Sequence, residues 1–574
     1  MSIVPQIRVT IVAAAADREA VVAQLQALGT LQLDVHGPDV PLAIDTDLDT
    51  AIGWLATAPQ QRHPERRAEL ADAAALVRAT LAARSRGQAL AEERAQLCKR
   101  IADVRPWGRF RFRELTSHPQ LRMWFYRLAT EELAHLDGQV FAEVARSGAQ
   151  HMVVVLAETE PMLAIPRIHV GARTLDALEA RLADVDVALD DVAAERVALT
   201  RWLPLLRAER NRLADAAARS HAVGALPVEG PLAILGGWIP SPHLAELADW
   251  AAGAGVALLC RPPAPQDTPP TLLANPPAAA PGEALVRFFT TPDYRAWDPS
   301  AAVMFSFILF FAIIVSDAVY GLALGVLLAL FWRRLGRSGD GRRARQLCAW
   351  LALATMGWGV LAGTYAGAPP PNALAARLQL VPVNDLEAML KLSVGIGIAH
   401  LALANALAAA RLKPERTALA RLGWIAILLA TPVAALLPAL RLPALLVAGA
   451  GLVAVLLWSS SRRDPIARVI DGAGAAARLV SALGDTLSYL RLFALALAGS
   501  ALAAAFNALA GDAFRVPGAG VVLGLMVLVL GHGLNLLLSV ASGFVHGLRL
   551  NYIEFLGWGL WGEGRPFHPF RMSG

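Results

Sequence analysis

Five blocks in the second half of this chain, residues 346–364, 422–437, 442–458, 489–510 and 520–541, hold a single charged residue between them, Arg491. Runs of that length and character fit a hydrocarbon core that takes roughly 20 helical residues to cross. Composition agrees, with 56% hydrophobic residues and 17% charged ones, against roughly 25% charged in an ordinary soluble domain. A single soluble globule and a disordered chain are both excluded. The 52 basic and 47 acidic residues leave a formal charge of +5, and arginine supplies nearly all the positive charge because lysine occurs only at 99, 391 and 413. No basic stripe with interleaved aromatics lies on a soluble face, so no nucleic-acid partner is expected. Cys98, Cys260 and Cys348 are too few and too far apart for a disulfide framework or a metal pattern. No metal or cofactor is expected, and the soluble part fits a reducing compartment. The first residues lack a charged segment followed by a clean apolar one, which predicts a chain that starts in the cytoplasm.

Composition changes near residue 300. Residues 1–290 are mixed and charged, and residues 301–574 are dominated by apolar blocks, with a Pro-rich connector across 261–300. In the first part QIRVTIVA, DREAVVAQLQALG and TLQLDVHG read strand, helix, strand, and QHMVVVLAETEPMLAIPRIHV at 150–170 returns to strand. Long helices are expected at about 65–105 and 172–220. The second has apolar residues at Leu175, Leu178, Leu182, Val185, Leu189 and Val192, then Leu199, Leu203, Leu206 and Leu213, the spacing of a coiled coil. Pro204 should kink or break it. The economical arrangement is a mainly α protein whose cytosolic α+β lobes are joined by an antiparallel coiled-coil arm. A plain helical domain without an arm is the alternative.

Basic residues predict topology, because positive loops stay on the cytoplasmic side. The stretches 332–346, 411–421 and 459–468 are rich in arginine, including Arg333, Arg334, Arg337, Arg342, Arg343 and Arg345 in the first. Connections at 368–390, 438–443 and 511–517 are poor in basic residues and should face outward. A cytoplasmic N-terminal domain then requires 301–331 to fold back as a hairpin around SDAVYG, with Asp317 at its turn; a single crossing is the alternative. The expected segments are about 301–316, 318–331, 346–367, 389–410, 422–437, 442–458, 468–510 and 517–550, eight in all, with both termini in the cytoplasm of a multi-pass plasma or inner membrane. The last two are longer than an upright span and should tilt.

Arg491 lies deep in the first long block, beyond snorkelling reach of either end. A guanidinium remains protonated there, at a cost of at least about 2.5–3.5 kcal/mol on insertion scales. It is a functional candidate; the bland reading is an ion pair with Asp485 or Asp317. In the second long block His532, Asn535, Ser539, Ser542, His546 and Arg549 follow at spacings of 3, 4, 3, 4 and 3, which places all six on one helix face. That stripe reads as the wall of an aqueous path, with polar glue between packed helices as the alternative. Arg549 is near the cytoplasmic end, where snorkelling alone accounts for it, and Glu554 follows at the interface. No phosphate-binding loop, HExxH or GxSxG motif supports soluble catalysis.

At these residues the chain resembles subunit a, called I in prokaryotes, of the V/A-type rotary ATPases. YLRLFALALA at 489–498 is similar to the family's arginine helix and GLRLNYIEF at 547–555 to its second arginine motif. VRPWGRF at 104–110, GGWIP at 236–240, PPTLLANP at 269–276, FFAIIVSDAVYG at 310–321, WGVLAGTYAG at 358–367, GIGIAH at 395–400 and GEGRPFHPF at 562–570 resemble further family signatures. The resemblance implies a non-catalytic stator subunit beside a rotating ring whose subunits carry a membrane carboxylate. Arg491 and Arg549 would act in ion translocation, with Asp485, Ser488, His532, Asn535, Ser539, Ser542, His546 and Glu554 lining two offset half-channels. The arm would hold the peripheral stalks. Eukaryotic members carry His where this chain has Gly499 and Glu where it has Ser539, which leaves those steps to His546 or water. A stand-alone transporter or a membrane-anchored scaffold is the competing function. Against a stand-alone transporter, no internal repeat or matched pair of broken helices is visible.

Overall fold

The computed structural model describes the whole chain except residues 1, 35–44, 66–71, 110–119, 137, 164, 169, 171–172, 382–384, 413–414, 461, 463 and 574. The end of TLQLDVHG, the start of the helix expected from about 65, Phe110 of VRPWGRF, Lys413 and Arg463 therefore lie outside the described residues. Strands β1 (Gln6–Ala14), β2 (Gln32–Leu33), β3 (Arg122–Ala129), β4 (Val140–Ser147), β5 (Gln150–Ala157), β6 (Val228–Glu229), β7 (Leu232–Pro240) and β8 (Ala257–Arg261) form two antiparallel sheets. One has the order β3-β5-β4; the other has β2-β7-β1-β8 with β6 on β7.

The chain divides into two compact units, and they do not follow the expected boundary at 290–301. Residues 16–29, 35–227 and 571–574 make one unit; residues 1–15, 30–34 and 228–570 make the other. The reason is strand pairing. β1 lies between β7 and β8, with Gln6 opposite Pro240 and Arg8 opposite Arg261, so its hydrogen bonds tie the N-terminus to the residues after 228.

The first unit holds α1 (Arg18–Leu28), α2 (Thr46–Ala56), α3 (Ala73–Val104), α4 (Leu175–Leu199) and α5 (Leu203–Gly224). Leu97, Ile101 and Val104 of α3 bury with Leu175, Leu178 and Val185 of α4. Arg86–Glu195 (2.5 Å), Arg94–Asp186 (2.6 Å) and Glu93–Arg181 (2.8 Å) show that the two run antiparallel. Exposed pairs of this kind fix register more than they stabilise. A 3-10 turn at Thr200–Trp202 separates α4 from α5, leaving Pro204 in the first turn of α5, where its missing N–H is harmless.

The second unit continues through α6 (Leu244–Ala254), α7 (Ala280–Phe289), α8 (Ser300–Val315), α9 (Ala318–Leu335), α10 (Gly339–Ala362), α11 (Ala373–Arg377), α12 (Leu386–Leu412), α13 (Thr417–Leu436), α14 (Arg441–Trp458), α15 (Pro465–Ala476), α16 (Arg478–Leu487), α17 (Leu490–Phe514) and α18 (Gly520–Arg549). A π turn, Leu550–Phe555, and α19 (Leu556–Gly559) follow. Among the described residues six helical segments are long and apolar enough to cross a membrane, counting 466–514 and 520–559 as one each. The 16-residue α8 is shorter than those spans and is covered by protein, with Phe307, Phe310 and Phe311 fully buried.

The chain breaks between α8 and α9 at the expected SDAVYG, but the two do not form the expected hairpin: both pack on α10 rather than on each other. Ser316 turns the chain at φ 43°. Asp317 then caps α9, accepting N–H bonds from Val319 (2.9 Å) and Tyr320 (3.0 Å), while its other oxygen accepts from Ala366 (2.6 Å). Gly359 lets α10 reach this turn; a Cβ there would lie 2.1 Å from the Ala318 nitrogen.

Four further expectations are corrected. The arginine-rich stretch 332–346 is mostly helix, because α9 runs to Leu335 and Ser338 caps α10, placing Arg342, Arg343 and Arg345 in its first turns. The Pro-rich connector contains α7, which buries Val286. Strand continues only to Ala157 in the segment expected to run to 170. The long block 468–510 is three helices, interrupted at Ala477 and at Ser488–Tyr489. At the second break the Ser488 hydroxyl donates back to the Gly484 carbonyl (3.1 Å), a local competition that loosens a helix. Tyr489 turns inward against Gly397, whose added Cβ would lie 2.6 Å from its ring.

Candidate functional site

α17 and α18 pack antiparallel through small residues. Gly531 lies under Phe506 and Gly524 under Phe514, each with a ring atom 2.5 Å from where a Cβ would sit. Gly499 faces Ser539, with 3.4 Å from its would-be Cβ to the Ser539 hydroxyl. The two positions that depart from the eukaryotic pattern are thus opposite each other. From Arg491 the outer face of α17 continues through Ala494, Ala498, Ala501, Ala505 and Ala508, spaced 3, 4, 3, 4 and 3, all five alanines exposed. A helix facing only lipid has no need of so smooth a surface; small side chains permit another helix to approach closely.

Arg491 is the second residue of α17 rather than the middle of one long helix. Its position is set by Tyr489, which is fully buried. The Tyr489 hydroxyl hydrogen-bonds His400 Nδ1 at 2.8 Å, and the His400 ring stacks on Phe555 at 4.2 Å. Phe310 packs edge-on against both.

The register of α17 on α18 brings His546 and Arg549 to this level, and Glu554 follows on the π turn. Arg549 and Glu554 both act electrostatically on Arg491. None of these groups forms an ion pair among the described residues. Arg491 Nη1, His546 Nδ1 and Glu554 Oε2 are buried atoms without a hydrogen-bond partner. Asp485 forms no ion pair with Arg491 among the described residues; its carboxylate accepts the Trp558 indole N–H at 2.7 Å. Asp317 is committed to capping α9. Neither Asp485 nor Asp317 therefore forms the ion pair of the bland reading, and Glu554, the acid that acts on Arg491, does so without a salt bridge among the described residues. Buried polar groups are almost always satisfied, so three orphans around one arginine mark a place for something outside this chain, or water.

About 20 Å along α18, four turns away, the polar stripe is different. His532 Nδ1 bonds the Tyr320 hydroxyl and its Nε2 bonds Asn507 Oδ1, both at 2.9 Å. Asn535 Nδ2 donates to the Tyr320 hydroxyl and to the Gly499 carbonyl, each at 2.9 Å. Asn507 Nδ2 donates to the Ala366 carbonyl at 2.7 Å. The six stripe residues thus fall into a closed network at His532 and Asn535, an open group at His546 and Arg549, and Ser539 and Ser542 between them. Ser539 is buried and Ser542 partly so.

Tyr320, Asn507, Tyr489 and His400 had no role in the sequence reading. A polar residue inside an apolar block was the available signal for Asn507 and His400; Tyr489 and Tyr320 carried none.

No protein-family model matches this chain. Among curated proteins, subunit I of the A-type ATP synthase of Pyrococcus horikoshii is 32% identical over 53% of this chain and 48% of its own length. Subunit I 1 of the V-type ATP synthase of Treponema pallidum is 27% identical over 84% of both chains. The chain thus spans about half the length of the archaeal relative. Among solved structures, the cytoplasmic N-terminal domain of subunit I, homolog of subunit a, of V-ATPase is matched over 44% of this chain and all of that one, at 17% identity and a TM-score of 0.21.

Proposed function

We propose that the chain is a member of the subunit I family of the A-/V-type ATP synthases, whose members it resembles, and that it is the stator membrane subunit of a rotary ATPase, not itself catalytic. Arg491 and the alanine face of α17 would meet a rotor ring whose subunits carry a carboxylate. The observation that carries this reading is the buried, unpartnered Arg491 Nη1 at the head of that face. A permanent cation holds a passing carboxylate ionised and blocks direct ion leakage past it.

In this reading two half-channels, offset across the membrane, load and unload the ring, and the translocated ion is a proton. Glu554, Asp485, Ser488, His546 and Arg549 line the cytoplasmic one. His532, Asn535 and Ser539 line the outer one, and Ser542 lies on the same face between. Both chain termini are cytoplasmic, in the plasma or inner membrane, and the antiparallel arm of α3 and α4 holds the peripheral stalks.

The test is ATP-driven pumping by the complex reconstituted in vesicles, beside an assembly assay. Arg491→Ala is expected to assemble and not pump. A scaffold would leave pumping intact in that variant, and intact pumping would end this reading. Ser542→Leu with His546→Leu should block ion flow without dissociating the complex; unchanged flow would assign that face to packing.

A further inference from the structure

Away from α17, the end of α12, the start of α13, the ends of α14 and α15 and the start of α16 line an open cavity of about 650 Å³. Arg295, Arg411, Arg421 and Arg478 line it, and Glu415 is the one carboxylate that lines it among the described residues. The arginines are oriented but not neutralised. Arg421 Nη1 donates to the Trp558 carbonyl (2.7 Å) and Arg411 Nε to the Arg295 carbonyl (3.0 Å). Arg295 donates to the carbonyls of Pro265 (2.5 Å), Ala264 (2.6 Å) and Asp267 (3.3 Å). Arg478 has no partner among the described residues and acts as a like charge on Arg421. Glu415 is exposed and accepts from the Thr417 hydroxyl at 3.2 Å. The Asp267 carboxylate is taken by Arg261 (2.6 Å), whose hydrogen bond, with that of the Ala264 N–H, holds it down to about 2.

A carbonyl oxygen fixes a guanidinium without removing its charge, so the cavity concentrates positive potential. Two of the helices that line it also expose apolar residues. α15 exposes Ile466, Val469 and Ile470 on one face, and α13 exposes Leu419 and Leu422. A free anion has no use for those apolar helix faces, whereas acyl chains do. We propose that this cavity binds the phosphate headgroup of an anionic phospholipid, with Arg411, Arg421 and Arg478 as its guanidinium ligands and its acyl chains against α13 and α15. The proposal goes beyond the stator reading and does not depend on it.

The test measures phosphatidylglycerol retained by the detergent-purified full chain, by native mass spectrometry and as a shift in thermal midpoint. Arg411→Gln with Arg478→Gln removes two exposed charges from the cavity. Arg333→Gln with Arg337→Gln removes two exposed charges elsewhere. At about fivefold per charge near an anionic surface, the cavity variant should lose retention at least about tenfold. The control variant should match the wild type. Equal loss in the control, or equal retention of phosphatidylcholine by the wild type, overturns the proposal. Stabilisation by inorganic phosphate equal to that by phosphatidylglycerol assigns the cavity to a free anion and also overturns it.

Discussion

The two ends of the α18 polar stripe are built from similar residues and solve opposite problems. Around His532 each polar side chain has a partner: Tyr320, Asn507 and Asn535 bond one another or a backbone carbonyl. Around Arg491 the buried atoms Nη1 of Arg491, Nδ1 of His546 and Oε2 of Glu554 have none. A closed network rigidifies a structure, and a partly satisfied one is costly. The difference teaches that spacing puts polar groups on one face but does not say whether they serve the fold or wait for a partner. Variants at the open end should cost function and little stability; variants at the closed end should cost stability first.

The largest effect is expected from Arg491→Lys. A lysine can lose its charge when desolvated, and it lacks the planar fork. Pumping in vesicles should fall to background in complexes that still assemble, and wild-type pumping would break the contrast. Glu554→Gln should follow, lowering pumping at least about tenfold if the carboxyl exchanges protons, with an unchanged thermal midpoint in detergent. A drop in midpoint without a loss of pumping would move Glu554 to the structural side. Asn535→Leu removes the side-chain donor that the Gly499 carbonyl accepts in addition to its helical bond, and a donor from Tyr320. It should cost about 1–3 kcal/mol of stability, read as a lowered midpoint, and a variant as stable as wild type would show that the network is not closed. The smallest effect belongs to Gly499→Ala. The new Cβ meets Ser539 at ordinary contact distance, so removing a mid-helix glycine should stabilise by about 0.5–1 kcal/mol. Destabilisation there would mean that the Gly499–Ser539 space is already filled.

Much of the membrane part was legible because its signals are local. Apolar length marked α12, α13 and α14 to within a few residues, and Asp317 beside Gly321 marked the α8–α9 turn. The break before Arg491 was not legible. It depends on Tyr489 seated against Gly397 and His400, far away in sequence, and no window around residue 489 contains them. Strand β7 was missed for a different reason: LAILGGWIP carries two glycines, which weaken a strand signal, and it is held by pairing with β1 at the other end of the unit.

The sequence by itself determined that this chain enters a membrane, that its two long helices carry Arg491 and a one-sided polar stripe, and that its first half contains long amphipathic helices. Those follow from hydrophobicity and helical period, which act residue by residue. Tertiary structure alone decided which polar groups are satisfied, where α17 starts, and that four distant arginines share one cavity. Hydrogen bonds and charge act through space, and only packing brings residues such as His532 and Asn507, or Arg295 and Arg478, within their reach.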